Sequence, residues 1–210
     1  MKFILLESEL KFFKEMGFIE FDNIFSETLI DDLENTIDSL LSSKPLPSKD
    51  DTKPLRDLFR RSDFIKKTLL NKNFKNIIKI LTKKERLRLV FDLAIVDTIE
   101  YPFEKETPLD NLFSFQGLIL GVLIKLDSKK NSEINYLPKK RGNATFFKSS
   151  LPINLAQIYH LKKQKYLLIG FGEAKTIYKL NTNDAQVNYL KELGYSFGDV
   201  LKDKFHPLIF

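Results

Sequence analysis

Two histidines, His160 and His206, are the whole imidazole supply of this 210-residue chain, and it has no cysteine. That removes disulfide frameworks, thiolate zinc sites, iron–sulfur clusters and cysteine nucleophiles. A three-histidine metal site is excluded, and any two-histidine site must use both rings. Carboxylates are more plentiful: Asp92 and Asp97 on an alternating run, then Glu100, Glu104, Glu106 and Asp110. With His160 they could supply a nonstandard metal site. The alternation of residues 87–99 instead predicts that these acids turn outward to solvent, and each lone histidine reads as a partly exposed polar residue. Gly170-Phe171-Gly172 lacks the third glycine of a phosphate-cradling loop and opens no helix. The sequence has no Gly-x-Ser-x-Gly elbow, no His-Glu-x-x-His and no aspartate-rich calcium loop.

The strongest electrostatic feature is the basic stretch Lys66, Lys67, Lys72, Lys75, Lys79, Lys83, Lys84, Arg86 and Arg88, interrupted only by Glu85. Lysines beside apolar helix positions read as a solvated face, with weak, salt-sensitive affinity for polyanions. The net charge of +6, from 34 basic and 28 acidic residues, is otherwise modest.

These residues need a scaffold, and the pattern supplies one. Ser8 is placed to cap a helix ending at Gly17, and Phe18–Phe21 reads as a short extended segment. Ser26 caps a longer helix whose stripe is Leu29, Ile30, Leu33, Ile37, Leu40 and Leu41. Residues 42–54 hold three prolines and read as a loop. Ser62 and Asn73 can each cap a short helix. From Leu87 the period changes to two, as expected of a strand with one buried face. Runs at 115–126, 144–149, 166–171 and 176–180 are further strands, and a last helix fits Asp184 to Leu193. Helices first and strands later argue for an α+β chain whose residues 86–180 pack as two facing antiparallel sheets, with the Ser26–Leu41 helix over one outer face. The apolar N-terminal run breaks at Glu7, too short for a signal core or a membrane span, so a soluble cytoplasmic protein is expected.

The segment from Phe12 to Leu33, FFKEMGFIEFDNIFSETLIDDL, resembles the opening of phytanoyl-CoA dioxygenase-like proteins, which begin with a helix, a Gly-Phe turn, a short strand and a capped helix. The resemblance implies a double-stranded β-helix (jelly-roll) core buttressed by N-terminal helices, in one domain over 1–210. Residues 1–85 would be mainly helical, and 86–210 a β-rich core with a C-terminal helix. It also implies iron(II) and 2-oxoglutarate as cofactors, with iron held by a His-x-Asp motif and a later histidine. In this chain the His-x-Asp counterpart is Pro108-Leu109-Asp110, and proline has no donor for a metal. The segment Lys148–Pro152, where the later histidine would fall, has none, and Lys148 would point inward there. Lys165, opening the strand Tyr166–Ile169, takes the place of the basic residue that pairs with 2-oxoglutarate. The expected protein is thus a non-catalytic relative, with Asp110 vestigial and neither cofactor bound. It would bind a small carboxylate, a coenzyme or a protein. The alternatives are an active oxygenase with an unconventional site built on Asp110 and His160, and a basic nucleic-acid-binding or regulatory protein using residues 66–88. The rings of Phe103, Phe113, Phe115, Phe146, Phe147 and Phe171 are numerous enough to fill a barrel interior.

Overall fold

The computed structural model describes residues 5–42, 55–96, 106–129, 134–159, 161, 164–184 and 186–210. Helix α1, Glu7–Met16, begins one residue before the expected Ser8 cap, with Glu9 Oε2 accepting from Leu6 N at 2.7 Å. It stops at Gly17, whose φ of 80° only glycine adopts freely. Strand β1, Phe18–Phe21, leads to α2, Glu27–Ser42, where Ser26 Oγ accepts from Leu29 N as its spacing predicted. A 3₁₀ turn at Leu58–Arg60 precedes α3, Asp63–Leu69, capped by Ser62, and α4, Lys72–Thr82. The cap of α4 is Asn71, not Asn73: its Oδ1 accepts from Phe74 N at 2.9 Å.

Strands β2, Leu87–Ile95, β3, Phe115–Lys125, β4, Ala144–Lys148, and β5, Tyr166–Tyr178, follow, with the short helices α5, Leu109–Leu112, and α6, Leu155–Tyr159, between them. The described strands form one antiparallel sheet in the order β1-β4-β3-β5-β2, where two facing sheets were expected. Beyond this ladder the chain makes isolated bridges, Thr107 with Ile153 and Ile177 of β5 with Val200. The expected helix from Asp184 is a turn followed by a 3₁₀ segment, Tyr189–Leu193, ending at Gly194.

Register sorts the sheet's side chains, because residues directly opposite one another share a face. One row runs Ile19, Phe146, Val122, Ile169, Asp92. On this face Phe74 of α4 packs against Phe146 and Phe171, with ring centroids 5.5 and 6.0 Å apart. The next row, Phe18, Phe147, Gly121, Gly170, Phe91, looks the other way. There the two glycines make room for the two rings: a Cβ at Gly121 would lie 2.3 Å from Phe147 Cζ, and one at Gly170 2.1 Å from Phe91 Cε1. Every residue of β2 is buried, so the strand is covered on both faces rather than the one its alternation suggested. Its free edge is closed by isolated bridges from Arg56 to Leu93 and from Leu208 to Arg88.

Candidate functional site

The face of the sheet that carries Gly121 and Gly170 is the one closed by the chain's later loops, and its chemistry is held at three places. In the centre lie apolar groups. Leu109 of α5 reaches the space over Gly121 beside Phe147, and the Phe113 ring sits 4.2 Å from Phe91. Of the phenylalanines expected to fill an interior, Phe113, Phe115 and Phe147 do so on this face, whereas Phe146 and Phe171 belong to the helix-covered face. Phe103 lies outside the described residues.

At one end, Lys125 is fully buried. Its ammonium faces Asp127 (3.3 Å to each oxygen), Gln164 Oε1 (3.2 Å) and the Tyr166 hydroxyl (3.5 Å), and burial pulls its pKa down against the pull of Asp127. Asp127 is further fixed by the backbone N–H groups of Lys129 and Lys165. All of these acceptors are turned to one cation, as a buried lysine requires.

At the β2 side, Arg56 is buried with Asp184, 3.1 Å away. The guanidinium lies 5.2–5.7 Å from the ring centres of Phe91, Phe113, Phe115 and Tyr189. Asp184 also accepts from the backbone N–H of Ser114 and Gln186. This aromatic-lined ion pair plugs the interior.

Around the free edge of β2 stands a second polar network. Asp92 is completely buried, not solvent-facing as its alternation suggested, and accepts from Leu58 N at 2.7 Å and Phe59 N at 2.8 Å. Burial, aided by the nearby Asp57, pushes its carboxyl up to about 7. Asp57, with φ 55°, sets its carboxylate 2.9 Å from Arg60. Arg60 reaches on to the Tyr189 hydroxyl, the Phe205 carbonyl and His206 Nε2 (3.3 Å). His206 is fully buried, against its expected partial exposure, and its Nδ1 lies 2.8 Å from the Val90 carbonyl. A carbonyl can only accept and a guanidinium can only donate, so Nδ1 carries the proton and Nε2 is the acceptor. Burial and the Arg60, Arg88 and Arg56 charges hold the ring neutral, far below the usual histidine range. Arg88, expected on the solvated lysine face, is buried too and donates to the carbonyls of Ala174 and His206 and to Asp203.

Asp110 is half-buried in α5. Its Oδ2 accepts from Ser149 Oγ at 3.3 Å, and burial raises its pKa, opposed by Ser149 and by Lys179. Lys148 belongs to the helix-covered face and donates to the Lys14 carbonyl of α1 at 2.7 Å. The Lys165 ammonium pairs with Asp38 (2.6 Å) and Glu34 (3.1 Å) of α2. Burial would lower its pKa, but these two carboxylates hold it above the usual lysine range. Asp110, Lys148 and Lys165 are therefore each engaged with a different neighbour. Glu106 is exposed; His160, Asp97, Glu100 and Glu104 lie outside the described residues. Among the described residues no three His, Cys, Asp or Glu side chains are grouped to hold a metal, and no helix is long and apolar enough to cross a membrane.

No family model matches the chain, and no curated protein does. Solved structures do. SnoK, an α-ketoglutarate-dependent non-heme carbocyclase of nogalamycin biosynthesis, superposes with a TM-score of 0.72 at 13% identity, covering 98% of this chain and 97% of its own. The chain shares the fold of α-ketoglutarate-dependent non-heme enzymes. The epimerase SnoN, in complex with Fe³⁺ and α-ketoglutarate, gives 0.68 at 14% identity with 97% and 98% covered. HygX from Streptomyces hygroscopicus, with nickel and 2-oxoglutarate bound, gives 0.62 at 12% identity with 96% and 99% covered.

The side chains that organise the interior, Arg56, Asp184 and Lys125, were not singled out by sequence. Lys125 carried a usable signal, since a lysine inside the apolar run 117–126, two residues before Asp127, must be buried with its partner if the strand is. Arg56 and Asp184 carried none, because their partnership spans 128 positions.

Proposed function

We propose that the chain is a phytanoyl-CoA dioxygenase-like protein on a double-stranded β-helix that acts by binding and does not carry out iron-dependent oxidation. The observation that carries this reading is the commitment of His206. An iron facial triad takes two imidazoles and a carboxylate. This chain has two histidines, and one has both ring nitrogens engaged, to Val90 and Arg60, among three guanidiniums. The donor set does not fit the triad. The fold's likeness to α-ketoglutarate-dependent enzymes supports descent from that scaffold, and the rings of Phe91, Phe113 and Phe147 fill the Gly121–Gly170 face of this chain's sheet.

The test is succinate formation from 2-oxoglutarate with added iron(II) and ascorbate, beside calorimetric iron titration. Succinate at the level of the protein-free control and no saturable iron uptake are expected. Succinate above that control which vanishes in Asp110→Ala or His160→Ala would establish a single-histidine metalloenzyme and end this reading.

A further inference from the structure

Between α1 and the C-terminal end of α4 runs a groove of about 770 Å³. Its floor is apolar, made by Leu10 and Phe13 of α1 and Leu81 of α4, and its rim carries Lys11, Lys14, Lys83 and Lys148 against one acid, Glu7. Lys148 is turned to the Lys14 carbonyl, and Lys11 makes only a 4.0 Å contact with Glu15. Lys14 and Lys83 have no carboxylate partner among the described residues. From this apolar floor and one-signed rim we infer that the groove is a docking site for an acidic amphipathic helix of a partner protein. Its apolar side chains would lie on Leu10, Phe13 and Leu81, and its carboxylates would meet the lysines.

Charge argues for this occupant over two others. A second copy of the chain brings its own net charge of +6 to a basic rim. An anionic membrane lying flat on α1 would meet Glu7, Glu9 and Glu15 as well as Lys11 and Lys14, so the helix as a whole offers it no net attraction. A narrow helix seated in the groove reaches the lysines and meets Glu7 alone of these three glutamates, as helix-in-groove recognition uses one face of a peptide. Phe13, 6% exposed, is the one buried residue of α1, so few buried contacts hold this wall of the groove.

The absence of cysteine makes the test direct. An environment-sensitive dye on Ser8→Cys reports from the groove, and one on Lys191→Cys serves as a remote control. The probe is a helical peptide of about 14 residues with leucines on one face and glutamates on the other, run beside its lysine-for-glutamate twin. A saturable change at Ser8→Cys with the acidic peptide alone, weakened about tenfold by Lys14→Glu/Lys83→Glu, is expected. Both variants are exposed on the surface, and circular dichroism checks their fold. The inference fails if there is no change up to about 1 mM peptide, if the twins bind equally, or if the lysine reversal has no effect. It also fails if the dye responds instead to phosphatidylserine vesicles or to rising protein concentration without peptide.

Discussion

Asp92 and His206 lie on the same stretch of β2's surroundings and answer pH with opposite signs. The buried Asp92 carboxyl is raised from 3.8 to about 7, so its contribution to stability is full below the unfolded value and is lost as pH rises through 7. His206 is lowered from 6.5, so its contribution is present above that value and is lost as pH falls toward the lower folded one. In Asp92→Asn the first dependence should disappear while an amide oxygen still accepts from the 3₁₀ turn. Chemical denaturation at about pH 5 and about pH 8 checks this: the variant should gain on the wild type as pH rises, and a constant difference would contradict the raised carboxyl. His206→Phe keeps a ring of similar shape and leaves the Val90 carbonyl and an Arg60 N–H without partners. It should cost about 2–4 kcal/mol at neutral pH and remove the acid-side loss, read from the same curves.

At the scale of elements, the sheet's interior face depends on two missing side chains. Gly121→Ala or Gly170→Ala would press a methyl group into Phe147 or Phe91, and each should lower stability by about 1–3 kcal/mol. Pairing Gly121→Ala with Phe147→Leu should recover part of the loss, and a denaturation midpoint for the pair no better than for the single variant would show that the clash is not the cause. Both glycines stood plainly in the sequence, but a glycine in a strand does not say which ring leans over it. The same limit explains what was legible. The helices α1 to α4 were, because a cap, a stop and a 3.6-residue stripe are local. The strands were legible as strands, since the alternation from Leu87 and the short apolar runs after it are local as well. The order of the described strands, β1-β4-β3-β5-β2, was not, nor was the burial of Asp92, Arg88 and His206. Alternation reports that a strand has two faces and is silent about a segment such as 205–209 that arrives from far along the chain to bond along its edge.

Taken whole, the molecule sets its free surface and its closed charges apart. α2 is tied to the end of the sheet by Arg141, which meets Asp31 and Glu34, and by Lys165, which meets Glu34 and Asp38. These pairs are partly exposed, so Lys165→Met should cost under about 1 kcal/mol, and that difference should shrink in high salt. A salt-independent loss of several kcal/mol would place Lys165 in a buried role instead. The charges around β2 follow another logic, because their partners come late. Leu89 N donates to Pro207 O, Ile209 N to Leu87 O, and His206 meets Val90 across 116 positions. While the chain is being synthesised, Arg56 and Arg88 must wait for more than half the polypeptide before Asp184 and Asp203 exist, whereas Arg60 has Asp57 beside it from the start. Until then β2 is an unpaired edge with exposed backbone donors, which neighbouring nascent chains can bind. The arrival of residues 203–209 is thus, with the pairing of β5, one of the late steps of synthesis that remove an open edge of β2.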